Sequence, residues 1–270
     1  MKILILHKDN SRAGDLAHEM STDLKAGDVE TAVMPAHEMA PRFRQGQDLV
    51  VVLGGDGTIL NTARILAGTG IPLLGINLGK IGFLSSIDPE EWPQVRDKLL
   101  QQQYRVEERM MIDIAVLRDG QECCRGQALN DAVIRSHVLH TITLSLVLNG
   151  QPYACYRGDG IICATPTGST AYSYSAGGPV LYQQLEALAV TPVCPQLSSA
   201  RSLIVPAAMN LEFTLESDHL TGIALDGRKE MELIKGDRII IGKSSQTTGF
   251  VQIENRSSMK KIMQCRNKMP

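Results

Sequence analysis

Aromatic residues are scarce in this chain, at 4% with one Trp and four Phe, and no long uninterrupted apolar run appears. The first shortage leaves no Trp- or Phe-rich flap to admit an acyl chain, and the second predicts no helical membrane span. The opening Met1-Lys2-Ile3-Leu4-Ile5-Leu6 passes into His7-Lys8-Asp9 too soon for the apolar region of a signal peptide, and reads as a first buried strand. Cys-x-x-Cys spacing is also missing. The six cysteines, Cys123, Cys124, Cys155, Cys163, Cys194 and Cys265, read as reduced thiols of a cytoplasmic protein. The six His are scattered, which argues against a structural zinc site. Nor is there an excess of one charge: a formal net charge of −2 and a pI near 6.3 give no reason to expect nucleic-acid binding. What is present is 43% hydrophobic residues over 270 positions, enough for the cores of two ordinary domains.

Residues 1–106 alternate strand and helix. Apolar runs at Lys2 to Leu6, Leu49 to Leu53 and Ile71 to Ile76 are interleaved with helical spacing from Arg12 to Lys25, Thr58 to Leu66 and Glu90 to Gln103. This grammar predicts a Rossmann-like, doubly wound α/β domain with ligands gathered where strands end in loops. From about Met111 the runs become short and β-rich: Ile112 to Leu117, Ala132 to Ile134, Thr141 to Leu148, Leu211 to Glu216, Gly222 to Leu225 and Arg238 to Ile241. Turns at Asn149-Gly150 and Asp226-Gly227 punctuate them, so residues 107–254 read as a mostly β, sandwich-like domain. The tail at about 255–270, basic from Met259, admits two readings, packing back on the first domain or fraying.

The run Gly54-Gly55-Asp56-Gly57-Thr58 follows the strand-like Leu49 to Leu53 and precedes a helical pattern. Glycines let a backbone approach an anion closely, and a helix start aims free N–H groups at the same spot. A carboxylate inside a phosphate-sized loop makes sense if a metal separates the two anions, or if Asp56 accepts a proton from a hydroxyl attacking the phosphate. The bland alternative is a turn, with glycines at positive φ and Asp56 capping the helix. A second glycine-rich loop, Gly75 to Leu84, follows the next strand, and its Phe83 reads either as core or as an apolar wall for a flat base. Asn130-Asp131 pairs an amide with a carboxylate, a set able to grip a vicinal diol such as ribose, or equally a turn with Asx hydrogen bonds. Gly158-Asp159-Gly160 and then Thr165-Pro166-Thr167-Gly168-Ser169-Thr170-Ala171-Tyr172 form a hydroxyl-rich stretch leading into a helical pattern at Thr170 to Ala176.

In this order, these motifs resemble those of the NAD kinases, which phosphorylate the adenosine 2′-hydroxyl of NAD to make NADP. The resemblance covers most of the chain and also takes in Leu129-Asn130-Asp131, the continuation to Gly177-Gly178-Pro179, and a weaker block at Thr191-Pro192-Val193-Cys194-Pro195. The pentapeptide alone also occurs in diacylglycerol and sphingosine kinases, so a lipid kinase is the enzymatic rival, and an NAD(P)-binding sensor without activity is the other. The resemblance implies that Asp56 is the base, with Gly54, Gly55, Gly57 and Thr58 shaping the phosphate region. It implies that Asn130 and Asp131 hold ribose hydroxyls, and that Thr167, Thr170, Ala171 and Tyr172 enclose adenine with Phe83. Arg157, Asp159, Ser173, Tyr174 and Ser175 then lie along the rest of the dinucleotide. It further implies ATP or polyphosphate as donor, Mg²⁺ carried with ATP, and a homodimer or homotetramer whose subunits share the NAD site. The sequence departs from the pattern at Asp131, where Glu is commoner, and at Gln196, Ser202 and Arg228.

Overall fold

Three short runs rich in Val, Ile and Leu, namely Lys2–His7 (β1), Leu49–Gly54 (β3) and Leu73–Asn77 (β4), and the mixed run Glu30–Pro35 (β2) pair in parallel in the order β2-β1-β3-β4. Every residue of β3 is buried, as a strand covered on both faces requires. The helices are Ser11–Lys25 (α1) between β1 and β2, Asp56–Leu66 (α2) between β3 and β4, and Trp92–Leu100 (α3) after β4. α1 buries Ala13, Ala17, Met20 and Leu24 at helical spacing, and the side chain of Asn10 caps it by accepting from the N–H of Ala13 at 2.8 Å. Because β1 sits between β2 and β3, the chain reverses direction there, and crevices open beyond the carboxyl ends of the strands. The computed structural model describes residues 1–40, 46–79, 82–197 and 200–253. By internal contacts the chain divides into two units, one of Met1–Arg109 together with the chain from Thr247, and one of Met110–Gln246.

The second unit is built from strands Arg105–Arg118 (β5), Gln121–Ala128 (β6), Asp131–Ser136 (β7), Ile142–Leu148 (β8), Gln151–Gly158 (β9) and Gly160–Ala164 (β10), then a single helical turn, Tyr172–Ser175 (α4). Ala187–Val193 (β11), Leu203–Pro206 (β12), Leu211–Leu215 (β13), Thr221–Leu225 (β14), Arg228–Leu233 (β15) and Arg238–Gln252 (β16) complete it. One antiparallel sheet runs β12-β11-β10-β7-β14-β15. In the other, β13 lies between β16 and β8, β9 pairs with β8, and β5 pairs with β16 and β6. A single core takes side chains from both sheets, among them Ile112, Leu144, Phe213 and Ile239 from one and Ile134, Ile161, Val190 and Ile223 from the other. This is the sandwich the alternating runs predicted. The last residues of β16 belong to the first unit, where Phe250 pairs with Leu73 and Thr248 Oγ1 donates to the carbonyl of Ala63 at 3.0 Å.

The turns at Asn149-Gly150 and Asp226-Gly227 both have positive φ at each residue, the geometry a tight hairpin needs. The helix over Glu90 to Gln103 is shorter than its spacing predicted. A 3₁₀ turn at Pro89–Glu91 with an Asp88–Glu91 capping box precedes α3, and Gln102, at φ 55°, follows its end. The pattern at Thr170 to Ala176 resolves into a 3₁₀ turn at Gly168–Thr170 and the one turn of α4, because Ala171 at ψ −128° interrupts helical geometry. The tail from 255, Cys265, and Lys80-Ile81 of the second loop lie outside the described residues.

Phe213 is fully buried in the sandwich core, whereas Leu139 is fully exposed. Phe213→Ala is expected to lower unfolding free energy by about 3–5 kcal/mol, and Leu139→Ala to change it by less than about 0.5 kcal/mol, both read from urea unfolding.

Candidate active site

The diglycine loop leaves β3 at Gly54 and enters α2 at Asp56, two residues earlier than the helical spacing suggested. None of Gly54, Gly55 and Gly57 has positive φ, so the turn reading does not account for them. Gly54 is required by packing, since a Cβ there would lie 2.7 Å from Cβ of Thr58. At Gly55 and Gly57 an added Cβ would meet nothing within 4 Å. Among the described residues neither backbone conformation nor packing calls for glycine at these two positions. They leave open space above backbone N–H groups at a helix start, which is the shape an anion needs.

The second loop closes on this helix start. Both oxygens of the Asp56 carboxylate accept backbone N–H groups, Oδ2 from Phe83 at 2.9 Å and Oδ1 from Leu84 at 3.2 Å. Gly82 makes the approach possible, because a Cβ there would lie 3.0 Å from Asp56 Oδ1 and 2.4 Å from Ser85 Oγ. The N–H of Leu78 bonds the Gly54 carbonyl at 3.0 Å, and Asn77 Oδ1 accepts from Gly79 at 3.0 Å. An open pocket of about 580 Å³ lies here, lined among others by Asn10, Arg12, Asn77, Gly79, Asp88 and Glu90, at the carboxyl ends of β1 and β4. Among the described residues no group of three His, Cys, Asp or Glu side chains gathers to hold a metal.

In the second unit, Asn130 and Asp131 stand where β7 begins. The N–H of Thr165 bonds the Asn130 carbonyl at 2.9 Å, and Thr165 Oγ1 donates to the Leu129 carbonyl. Gly168 lies so close that a Cβ would fall 2.0 Å from the Asn130 carbonyl oxygen. The hydroxyl-rich stretch is therefore packed against the amide–carboxylate pair, and Thr167 is buried there with it. Thr170 Oγ1 donates back to the Thr167 carbonyl at 3.3 Å, the Tyr172 hydroxyl accepts from Arg135 at 3.2 Å, and Ser173 shares a 3.0 Å hydrogen bond with Thr191. Tyr172 packs on the small apolar cluster of Val133, Ile162, Ala164 and Val193. Tyr174 and Ser175 are exposed, and the N–H of Ser175 bonds back to Ala171. Arg157 is exposed and Asp159 half-buried at the β9–β10 turn; the N–H of Asp159 bonds the Val193 carbonyl at 2.9 Å, which joins the Thr191 to Pro195 block to this turn. Gln196 donates its N–H to the Arg157 carbonyl.

Two features of this pair point to a ligand. Asn130 Oδ1 is buried without a hydrogen-bond partner, and the Asp131 carboxyl, 4% exposed, accepts no hydrogen bond among the described residues. Burial, and then the negative charge of Asp226, push Asp131 from the ordinary 3.8 up to about 7. Sequence reasoning took Asp226 for a turn residue and Gly82 only as part of the glycine-rich second loop. Asp226 does sit in the turn, but its carboxylate accepts N–H groups from Leu129, Asn130 and Asp131, almost a hundred positions away in sequence.

An acid whose folded value lies above its unfolded one binds its proton more tightly when folded. Asp131 therefore subtracts stability as pH rises from about 4 to about 7, by roughly 4 kcal/mol at most. Asp131→Asn is expected to be more stable than the parent at pH 8, with the advantage vanishing toward pH 4, as read from chemical unfolding at a series of pH values.

Comparison with known proteins agrees with this geometry. Residues 5–104 match the ATP-NAD kinase N-terminal domain and residues 129–253 the ATP-NAD kinase C-terminal domain. An NAD kinase of Heliobacterium modesticaldum is 35% identical over 266 residues, covering 94% of each chain. One from Carboxydothermus hydrogenoformans is 42% identical over 215 residues, covering 78% of this chain and 76% of its own. Among solved structures, yeast NADH kinase complexed with NADH superposes with a TM-score of 0.91 at 25% identity, over 99% of this chain and 88% of that one. An NAD kinase from Archaeoglobus fulgidus in complex with ATP shares the fold, with a TM-score of 0.79 at 24% identity over the whole of both chains. The two matched domains account for both loops around Asp56 and for the Asn130-Asp131 pair, and the chain belongs to the NAD kinase family.

Proposed function

We propose that this enzyme transfers the γ-phosphoryl group of ATP to the adenosine 2′-hydroxyl of NAD, giving NADP, with Asp56 taking the hydroxyl proton. The observation that carries the reading is the open space at Gly55 and Gly57 beside a carboxylate that two backbone N–H groups hold still. A phosphate seated over that helix start meets N–H donors and the positive end of α2. The Asp56 carboxylate, fixed at its edge, is then within reach of a hydroxyl aimed at the phosphorus. Phosphoryl transfer needs chiefly positioning and charge neutralisation, and both follow from a rigid backbone cradle.

Mg²⁺, carried with ATP, would supply further neutralisation of the phosphate charge. On the acceptor side, Asn130 Oδ1 and the Asp131 carboxylate offer two acceptors to the two hydroxyls of a ribose. Thr167, Thr170, Ala171 and Tyr172 enclose the adenine, and Arg157, Asp159, Ser173, Tyr174 and Ser175 follow the remainder of NAD. The assembly is a homodimer or homotetramer that shares its NAD site between subunits, in the cytoplasm, where the free thiols stay reduced.

Asp56→Asn keeps the size of the side chain and removes the proton acceptor. Turnover, measured as NADP formed from NAD with MgATP, is expected to fall by about two to four powers of ten, with NAD affinity retained. Turnover near the parent's would take the base role away from Asp56.

A further inference from the structure

Asp226 closes the β14–β15 hairpin at φ 51°, with Gly227 at φ 76°, and its side chain turns back to the start of β7. Oδ2 accepts the N–H of Leu129 at 2.9 Å, and Oδ1 accepts those of Asn130 at 2.7 Å and Asp131 at 3.2 Å. The N–H of Asp226 in turn donates to the Asp131 carbonyl at 3.0 Å. Four hydrogen bonds thus tie one turn to three successive residues, two of which carry the acceptors for ribose. A carboxylate holding three N–H donors is strongly stabilised as the anion. It stays charged beside Asp131, whose own carboxyl is buried and accepts no hydrogen bond among the described residues.

We propose that Asp226 is the positioning residue of the ribose grip: it clasps the backbone under Asn130 and Asp131, and its fixed charge, set beside the unpartnered Asp131, makes the grip on the diol depend on pH. This rests on the NAD kinase reading given above.

Counting donors and acceptors gives the direction. A vicinal diol brings two O–H donors. Ionised Asp131 and Asn130 Oδ1 accept both, whereas protonated Asp131 adds a donor of its own that competes for the same acceptors. The grip therefore tightens as Asp131 loses its proton, and binding of the diol expels that proton. The group titrates at about 7, through burial first and the neighbouring Asp226 second. From β10, packed against β7, the titratable side chain facing it is the Cys163 thiol. Burial first, and then the charge of Asp131, push that thiol to about 12, so it stays neutral throughout the range. Asp226, on the hairpin turn, is the charged group acting on Asp131.

The test uses the full-length enzyme. Calorimetry of NAD binding at pH 6.5 in buffers of different ionisation enthalpy is expected to show release of roughly half a proton to one proton per NAD. The KM for NAD is expected to be about tenfold higher at pH 6 than at pH 8, as a single group titrating near 7 requires. Asp226→Asn keeps shape and tolerance of positive φ while removing the charge. In that variant the same KM ratio is expected to shrink to about threefold or less, with the midpoint moved down by about one pH unit. The Asp131 carboxyl ¹³C resonance, followed against pH without NAD, is expected to move in parallel. NAD binding by the parent without proton release, or an Asp226→Asn midpoint equal to the parent's, overturns the proposal and leaves the kinase reading standing. Failure of the parent to bind NAD at all overturns both. Should Asp226→Asn fail to fold, the proton count in the parent alone still decides.

Discussion

Backbone N–H groups, donated to a carboxylate from a segment far away in sequence, fix the geometry on which the rest of this structure depends. Two such carboxylates, one in each unit, stand at the candidate site. Asp56 receives Phe83 and Leu84, and Asp226 receives Leu129, Asn130 and Asp131. A carboxylate bound by backbone has no rotamer freedom left to lose when a ligand arrives, and the donors cannot swing away as a lysine or arginine would. A guanidinium beside Asp131 would use the lone pairs that a ribose hydroxyl needs.

These clasps demand close backbone approach, and the glycines supply it at specific places. Gly82 lets the second loop reach Asp56, and Gly168 lets the hydroxyl-rich stretch rest on the carbonyl of Asn130. Gly55 and Gly57 serve the opposite purpose, since none of the described residues fills the space a side chain would take. The same residue type therefore marks contact in one part of the loop system and vacancy in another.

That distinction is where sequence reading runs out. The parallel strands β1, β3 and β4 and the sandwich strands β5, β7, β8, β13 and β14 were legible because apolar runs of the right period have few other ways to be buried. β2 was not, because Glu30-Thr31-Ala32-Val33-Met34-Pro35 is a half-exposed edge with a mixed pattern. Asp56 could be singled out from its neighbours in the chain, since the glycines and the helix start are local. Asp226 could be read as a turn from Asp-Gly alone, but its partners at 129 to 131 are brought to it by the pairing of β14 with β7, which no local pattern contains. The residues of the site that were visible are those whose reason lies within a few positions, and the hidden ones are those whose reason lies across a sheet.

The second clasp also explains why an acid stands at 131 despite the stability it takes away. An amide there would be easier to bury, but it would present a donor as well as an acceptor to a pair of hydroxyl donors, and Asn130 already supplies the amide of the set. A carboxylate adds acceptors without adding a donor, and it does so only when ionised. Ionisation of a group 4% exposed is unfavourable in a folded protein. Asp226 holds the backbone beneath it in place while adding to the charge that must be tolerated. The strain is concentrated at the one place where an incoming diol can relieve it, so part of the free energy withheld from folding becomes available to binding.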